Sequence, residues 1–142
     1  NQKVYGGDSP AVADCLRLLA SLYVRHQDYT TAQTYLLHAV QIDEATYGRD
    51  GFGVSLPLWF LCDLYEKWNK PELAEPRYRQ MIAIIEKQYG TDSPMLLTTL
   101  TTEAKTLRKL GREKEAEAVD QRSVSIRSTA GKTEGAAAMP HP

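Results

Sequence analysis

Three histidines, two cysteines and one Gly-Lys-Thr run are the residues of this chain that could most readily do chemistry. His26, His38 and His141 offer imidazoles for metal ligation or proton transfer. No two of them stand three or four residues apart, and no Cys-x-x-Cys occurs, so no metal site is expected. Gly131-Lys132-Thr133 resembles the end of a phosphate loop but lacks the earlier glycine and the strand–helix setting that such a loop requires. Cys15 and Cys62 are too few for a disulfide framework. No nucleophile motif is recognisable among the serines and acids. The chain is therefore read as no enzyme, with no catalytic, metal or cofactor-binding residue and no cofactor.

The chemistry left is that of a surface, and its placement follows from a repeat. Tyr-Gly occurs at 5–6, 47–48 and 89–90, an interval of 42 residues both times. In the same frame Asp8, Asp50 and Asp92 align, as do Leu16, Leu58 and Leu100. So do Ala20, Cys62 and Ala104, then Tyr23, Tyr65 and Leu107, then Ala32, Ala74 and Ala116, then Ile42, Ile84 and Ile126. A fixed period of this length marks stacked structural units, here about residues 5–46, 47–88 and 89–128.

Each unit divides into two amphipathic helices. In the first unit Val12, Leu16, Leu19, Ala20 and Tyr23 form one stripe over roughly 10–26; Ala32, Leu36, Ala39, Val40 and Ile42 form another over roughly 30–46. Polar turns at Gln27-Asp28, Asn69-Lys70 and Gly111-Arg112 join the helices of each pair. Neither helix buries its stripe alone, so the pairs must pack on each other. Ser9-Pro10 and Ser93-Pro94 read as N-caps followed by proline at the first helical position, and Pro71 opens a helix in the same way. Gly6, Gly48 and Gly90 suit helix ends. The middle unit has Asp50-Gly51-Phe52 in place of Asp-Ser-Pro, with Pro57 beyond it; its first helix either starts late, near Val54, or is kinked, and Pro76 poses the same question for the next helix.

These residues resemble tetratricopeptide repeats. In that family a small residue of the first helix is followed twelve residues later by alanine and seven after that by another small residue. Ala20, Ala32 and Ala39 keep that spacing, as do Cys62, Ala74 and Met81, then Ala104, Ala116 and Ser123. Leu19 with Tyr23, and Leu61 with Tyr65, match as well. The 42-residue length, the Tyr-Gly linkers and the Ala74–Tyr78 stretch are similar to the kinesin light chain type. The resemblance implies an all-α, right-handed solenoid of three antiparallel helix hairpins, a concave groove lined by the first helices, a peptide or protein as ligand, and no catalytic residue. Where kinesin light chain-like repeats often carry paired asparagines, this chain has Arg17-Leu18, Trp59-Phe60 and Thr101-Thr102.

In that frame the first helices turn Asp14, Arg17, Ser21 and Arg25, then Leu56, Trp59, Asp63 and Lys67, then Thr98, Thr101, Lys105 and Arg108 away from the packing stripe. We expect these twelve to form a partner-binding groove with a mixed, mainly basic wall. Trp59 stands where the other units have Arg17 and Thr101, which makes it either an exposed anchor or a core residue folded between helices. Phe60 is expected to pack between repeats, and Trp68 and Tyr29 to cover hairpin turns. Cys62, at a tight crossing, is expected to be buried and inert. Lys105, Arg108, Lys109, Arg112 and Lys114, followed by Glu113, Glu115 and Glu117, read as a solvated, ion-paired face or as a basic groove wall.

At 142 residues with 42% hydrophobic content the chain forms one domain with a core spread along an axis. A net charge of -1 argues against a nucleic-acid partner, and no apolar run approaches the ~20 residues of a membrane span. The chain begins Asn-Gln, without a signal peptide; its compartment is open, with the cytoplasm as the default expectation. The first unit has no polar cap, so Val12, Leu16 and Leu19 should be partly uncovered and self-association is expected there. The third unit carries Glu103 and Asp120 where leucine or tyrosine stood before, which reads as a terminal repeat meeting water. Residues 1–128 are thus assigned to the repeat domain and 129–142 to a flexible C-terminal tail. Two functions fit: an interaction module with a peptide groove, or a structural, C-terminal capping segment of a longer solenoid without its own ligand.

Overall fold

The computed structural model describes residues 9–138, with backbone alone over 132–138. Tyr5, Gly6, Asp8 and His141 lie outside the described residues. Six α-helices follow one another: α1 (Pro10–Arg25), α2 (Tyr29–Tyr47), α3 (Ser55–Lys67), α4 (Pro71–Tyr89), α5 (Leu97–Lys109) and α6 (Glu113–Ala138). They pair as α1 with α2, α3 with α4 and α5 with α6; α2 packs on α3, α4 on α5, and α1 also touches α3. Among the described residues there is no strand. This is an α-solenoid of three hairpins.

The crossing inside each hairpin is made of small side chains. Ala20, Ala32, Ala74 and Ala116 are fully buried, and Cys62 and Ala104 nearly so. With so little side chain between them, the helical ridges can interlock. Around these crossings Leu36, Val40, Leu58, Leu61, Leu64, Tyr65, Tyr78 and Ile84 form one cluster centred on the middle hairpin, and smaller clusters flank it on either side.

The turn inside each hairpin is the same device three times. Gln27, Asn69 and Gly111, spaced by the repeat, all take positive φ, at 64°, 57° and 76°. The next amide then reaches back to the carbonyl of the aligned packing residue: Asp28 to Tyr23 at 2.9 Å, Lys70 to Tyr65 at 2.8 Å and Arg112 to Leu107 at 2.9 Å. This is the Schellman closure, which satisfies the last free carbonyls of the helix. Gly48 and Gly90 end α2 and α4 differently. Their φ of 87° and 99° combine with ψ of 156° and 163°, a region open to glycine alone rather than the left-handed helical one expected.

Ser9 caps α1, its hydroxyl accepting from the Val12 amide at 3.3 Å, with Pro10 in the first turn. Ser93-Pro94 does not open an α-helix directly. It caps a short 3-10 turn, Pro94–Leu96, that leads into α5. The middle hairpin has the same prelude, Phe52–Val54, so α3 starts late at Ser55. Pro57 falls in its first turn, where no amide partner is lost. Pro76 lies inside α4 and leaves the helix one amide hydrogen bond short.

Neighbouring hairpins are tied by a polar clasp that also repeats. The Gln80 amide donates to Glu44 at 2.8 Å and to the Arg49 carbonyl at 3.2 Å. One repeat later, Arg122 donates to Glu86 at 2.5 Å and to the Thr91 carbonyl at 3.0 Å. Donor, carboxylate and linker carbonyl each shift by the same 42 residues.

Two expectations change. Residues 129–138 continue α6 as helix, where a tail was expected to begin; Thr129 to Ala138 holds no proline, and its glycines cost only about 1 kcal/mol each. Glu103 does not meet water: it is only 5% exposed and faces α4, because this position lies on the side of the first helix turned toward the preceding hairpin. The outward face of the last hairpin is instead on α6, where Glu117 and Gln121 are exposed and Val124 is 61% exposed. On α1, the most uncovered residues are Leu18 (63%) and Leu22 (47%), followed by Leu19 (37%), while Val12 and Leu16 are half-buried.

The alanine crossings should tolerate no added volume. Ala32→Leu and Ala74→Leu should each cost roughly 1–3 kcal/mol in chemical denaturation, and Ala45→Leu, at an exposed position of α2, much less. Gly111→Ala should cost about 1 kcal/mol. A Cβ there meets nothing within 4 Å, so the loss would come from the positive φ alone.

Candidate functional site

The first helices α1, α3 and α5 lie in sequence along one side of the solenoid, each backed by its own second helix. The repeat gives every groove position three versions. Asp14, Leu56 and Thr98 share one; Arg17, Trp59 and Thr101 the next; Ser21, Asp63 and Lys105 the third. All twelve expected residues are exposed except Arg17 and Ser21, which are half-buried. Lys109, in frame with Arg25 and Lys67 and already read as one option for a basic groove wall, is exposed too.

Trp59 is 43% exposed on α3 and is not a core residue. It forms the rim of a cleft of about 70 Å³ whose other walls are Cys62, Asp63, Glu66, Tyr78 and Thr102. At the floor the Tyr78 hydroxyl donates to the Glu66 carboxylate. Burial first, and then this bond, raise the Tyr78 pKa, so the phenol stays protonated. Burial likewise pushes the Cys62 thiol up, with Glu66 and Asp63 adding to it. Its sulfur lies 4.0 Å from that of Met81. Such a thiol is a packing group, since nucleophilic sulfur needs the thiolate.

A second opening, of about 300 Å³, lies between α1 and α3. Leu36, Phe60 and Val24 supply apolar wall, and Ser21, Arg25, Asp63 and Lys67 supply polar groups. Four of its residues were expected from sequence. Phe60, Val24 and Leu36 were not, because packing and lining roles look alike in a periodic pattern. A third hollow of about 570 Å³, on α5, is lined by Thr101, Ala104, Lys105, Arg108, Lys109 and Asp120.

The electrostatics differ from the basic wall expected. Arg17 bonds Asp14 at 3.0 Å and lays its guanidinium over the Phe60 ring at 5.2 Å, with its side chain only 13% exposed. It is a strut between α1 and α3. Lys67 pairs with Asp63 at 2.7 Å, and Arg108 with Glu113 at 3.1 Å and Asp120 at 2.6 Å. Arg25, Lys105 and Lys109 have no ion-pair partner among the described residues. The free positive charge is thus confined to the two ends of the face. Below Arg17, Asp43 of α2 is buried; burial first, then the charge of Asp14, raise its carboxyl pKa, and Arg17 opposes this.

The remaining aromatics serve the turns. Tyr29 and Trp68 meet with ring centroids 5.9 Å apart, and Lys70 lies over the Trp68 ring at 5.3 Å. The basic cluster before α6 is partly paired, Arg112 holding Glu115 with two bonds of 2.6 and 2.8 Å. His26 caps the end of α1 and His38 is exposed on α2. Among the described residues no group of three or more His, Cys, Asp or Glu could hold a metal ion, and no helix is long and apolar enough to cross a membrane.

Comparison with known proteins agrees with this architecture. One tetratricopeptide repeat family model matches residues 58–129, and a second matches residues 12–52. No curated protein matches the chain. Among solved structures, BtubC (BKLC) from P. vanneervenii superposes with a TM-score of 0.78 at 21% identity, over 95% of this chain and 52% of that one. Nearly identical TPR-like repeats of a putative kinesin light chain from Podosopora anserina superpose at 0.68 with 20% identity, over 87% of this chain and 58% of that one. A variant form of the same repeats gives 0.69 at 20% identity, over 85% and 57%. The chain therefore spans about half the length of the structures it matches. Tetratricopeptide repeats are general protein–protein interaction modules. With models matched across its hairpins, alanines at the crossings and a 42-residue period that superposes on kinesin light chain-like repeats, the chain belongs to the tetratricopeptide repeat family.

Proposed function

We propose that this protein binds an extended segment of a partner protein along the face formed by α1, α3 and α5. The observation that carries the reading is Trp59. A tryptophan 43% exposed at the middle of that face, at the rim of a small cleft, does nothing for the core and has the type and place of a binding anchor. The opening between α1 and α3 has the size and apolar lining to take one bulky aliphatic or aromatic side chain. The unpaired Lys105 and Lys109 favour an acidic flank lying toward α5, while the ion pairs in between leave the middle close to neutral. Groove residues vary from repeat to repeat because packing does not dictate them.

A second reading rests on α1. Leu19 and Leu22 align with Leu61 and Leu64, both fully buried, and with Glu103 and Thr106, also buried. On α1 the same face is open, with Leu18 beside it. The chain would then also act as a stacking unit, associating through α1 with a second copy or serving as a structural segment of a longer assembly. Exposed apolar faces of this kind drive association.

The two readings separate experimentally. Peptides selected from a displayed random library should lose about 2 kcal/mol or more of binding free energy with Trp59→Ala, at an unchanged melting temperature. A lower melting temperature with unchanged affinity would remove the anchor. Sedimentation should show concentration-dependent association that Leu19→Glu with Leu22→Glu abolishes; a strict monomer at high concentration would end the second reading.

A further inference from the structure

Where α1 and α3 carry Leu19 and Leu61, α5 carries Glu103. Its partner across the junction is another acid, Glu75 of α4, which aligns with Gln33. In the preceding junction, Gln33 is neutral and donates to the Tyr65 hydroxyl oxygen at 2.8 Å. Between the second and third hairpins, two acids are buried instead, at 3% and 5% residue exposure, near enough to interact. Two carboxylates cannot share a buried site at hydrogen-bonding distance unless one of them holds a proton.

The surrounding charges decide which. From α4, Arg79 bonds Glu75 at 2.9 Å. From the turn before α6, Arg112 reaches Glu75 at 3.6 Å, but both its short bonds go to Glu115 at the start of α6. Both cations pair with Glu75 and neither with Glu103, although their charges oppose the rise at Glu103, whose neighbour is the Glu75 carboxyl. Glu75, Arg79 and Arg112 are the charged groups facing Glu103, with Glu115 beyond them. Glu103 is therefore the protonated member, its O–H donating to the Glu75 carboxylate. We propose that this pair is a proton-dependent lock on the α4–α5 junction: one shared proton closes it, and loss of that proton loosens the third hairpin and the part of the face that it contributes. The lock does not depend on whether that face binds a peptide.

Burial first, and then Glu75, push the Glu103 pKa up from an ordinary 4.5 to about 7. The folded state thus holds a proton that the unfolded chain has already released between pH 4.5 and 7. Stability from this group is greatest below that window, falls as pH rises through it, and is level above it. The folding equilibrium constant should drop roughly 30-fold between pH 5.5 and 8.5 on this account alone.

Thermal and urea unfolding of the whole chain at pH 5.5 and 8.5 tests this. Glu103→Gln keeps a donor toward Glu75 but cannot titrate, and should remove most of the pH dependence. Glu103→Leu, which restores the residue of the other hairpins, should do so too and should be the more stable chain at pH 8.5. An unchanged pH slope in Glu103→Gln would overturn the proposal. Should either variant fail to fold, carbon-detected titration of the Glu103 carboxyl in the wild-type chain still decides. A midpoint near neutrality is expected, and a midpoint near 4.5 would refute the lock.

Discussion

Everything in this molecule depends on how closely two helices can cross. At each hairpin the crossing holds alanine against alanine, or cysteine against alanine, buried to within 1%. Those contacts gain little individually; their value is geometric. They let the ridges of larger neighbours such as Leu36, Leu58, Tyr78 and Ile84 interlock, and that is where the apolar area is removed from water. The Schellman turns at Gln27, Asn69 and Gly111 then hold each pair at one angle, since their 6→1 bonds end on Tyr23, Tyr65 and Leu107, residues of the packing stripe itself.

Stacking of hairpins follows a second, polar rule. The clasp from Gln80 to Glu44 and the Arg49 carbonyl recurs as Arg122 to Glu86 and the Thr91 carbonyl. Glutamine and arginine are different donors, yet both bridge a carboxylate and a carbonyl one linker apart, so register is fixed by geometry and only secondarily by charge. The apolar half of the same junction varies more freely. The position of Leu61, buried at the α2–α3 junction, becomes the buried acid Glu103 at the α4–α5 junction. In a stacked repeat each interface is a nearest-neighbour term of its own. One junction can therefore change its chemistry without the others doing so.

The face of the first helices shows what is left when packing has been satisfied. Arg17 spends its charge on Asp14 and its plane on Phe60, and Lys67 and Arg108 are engaged with neighbouring acids. Pairs of this kind contribute little to stability, but they remove charge from the centre of the face. Trp59 stands out there because its surroundings are nearly neutral and its ring is only half covered.

The repeat made the fold legible. A period of 42, small residues at fixed spacing and two apolar stripes per unit specify six helices, their pairing and their order, because a helix needs only periodicity and caps to be recognised. The late start of α3 after Gly51 was legible only as one of two outcomes, the other being a kink at Pro57. The sequence could not say what each exposed residue meets across space. That Arg17 is a strut, that Glu103 faces Glu75 rather than water and that Leu36 and Phe60 line an opening are relations between residues of different helices. Periodicity assigns a residue to a face of its own helix; only the stacking of one hairpin on the next decides which neighbour that face finds, and with it the burial and charge state of the side chain.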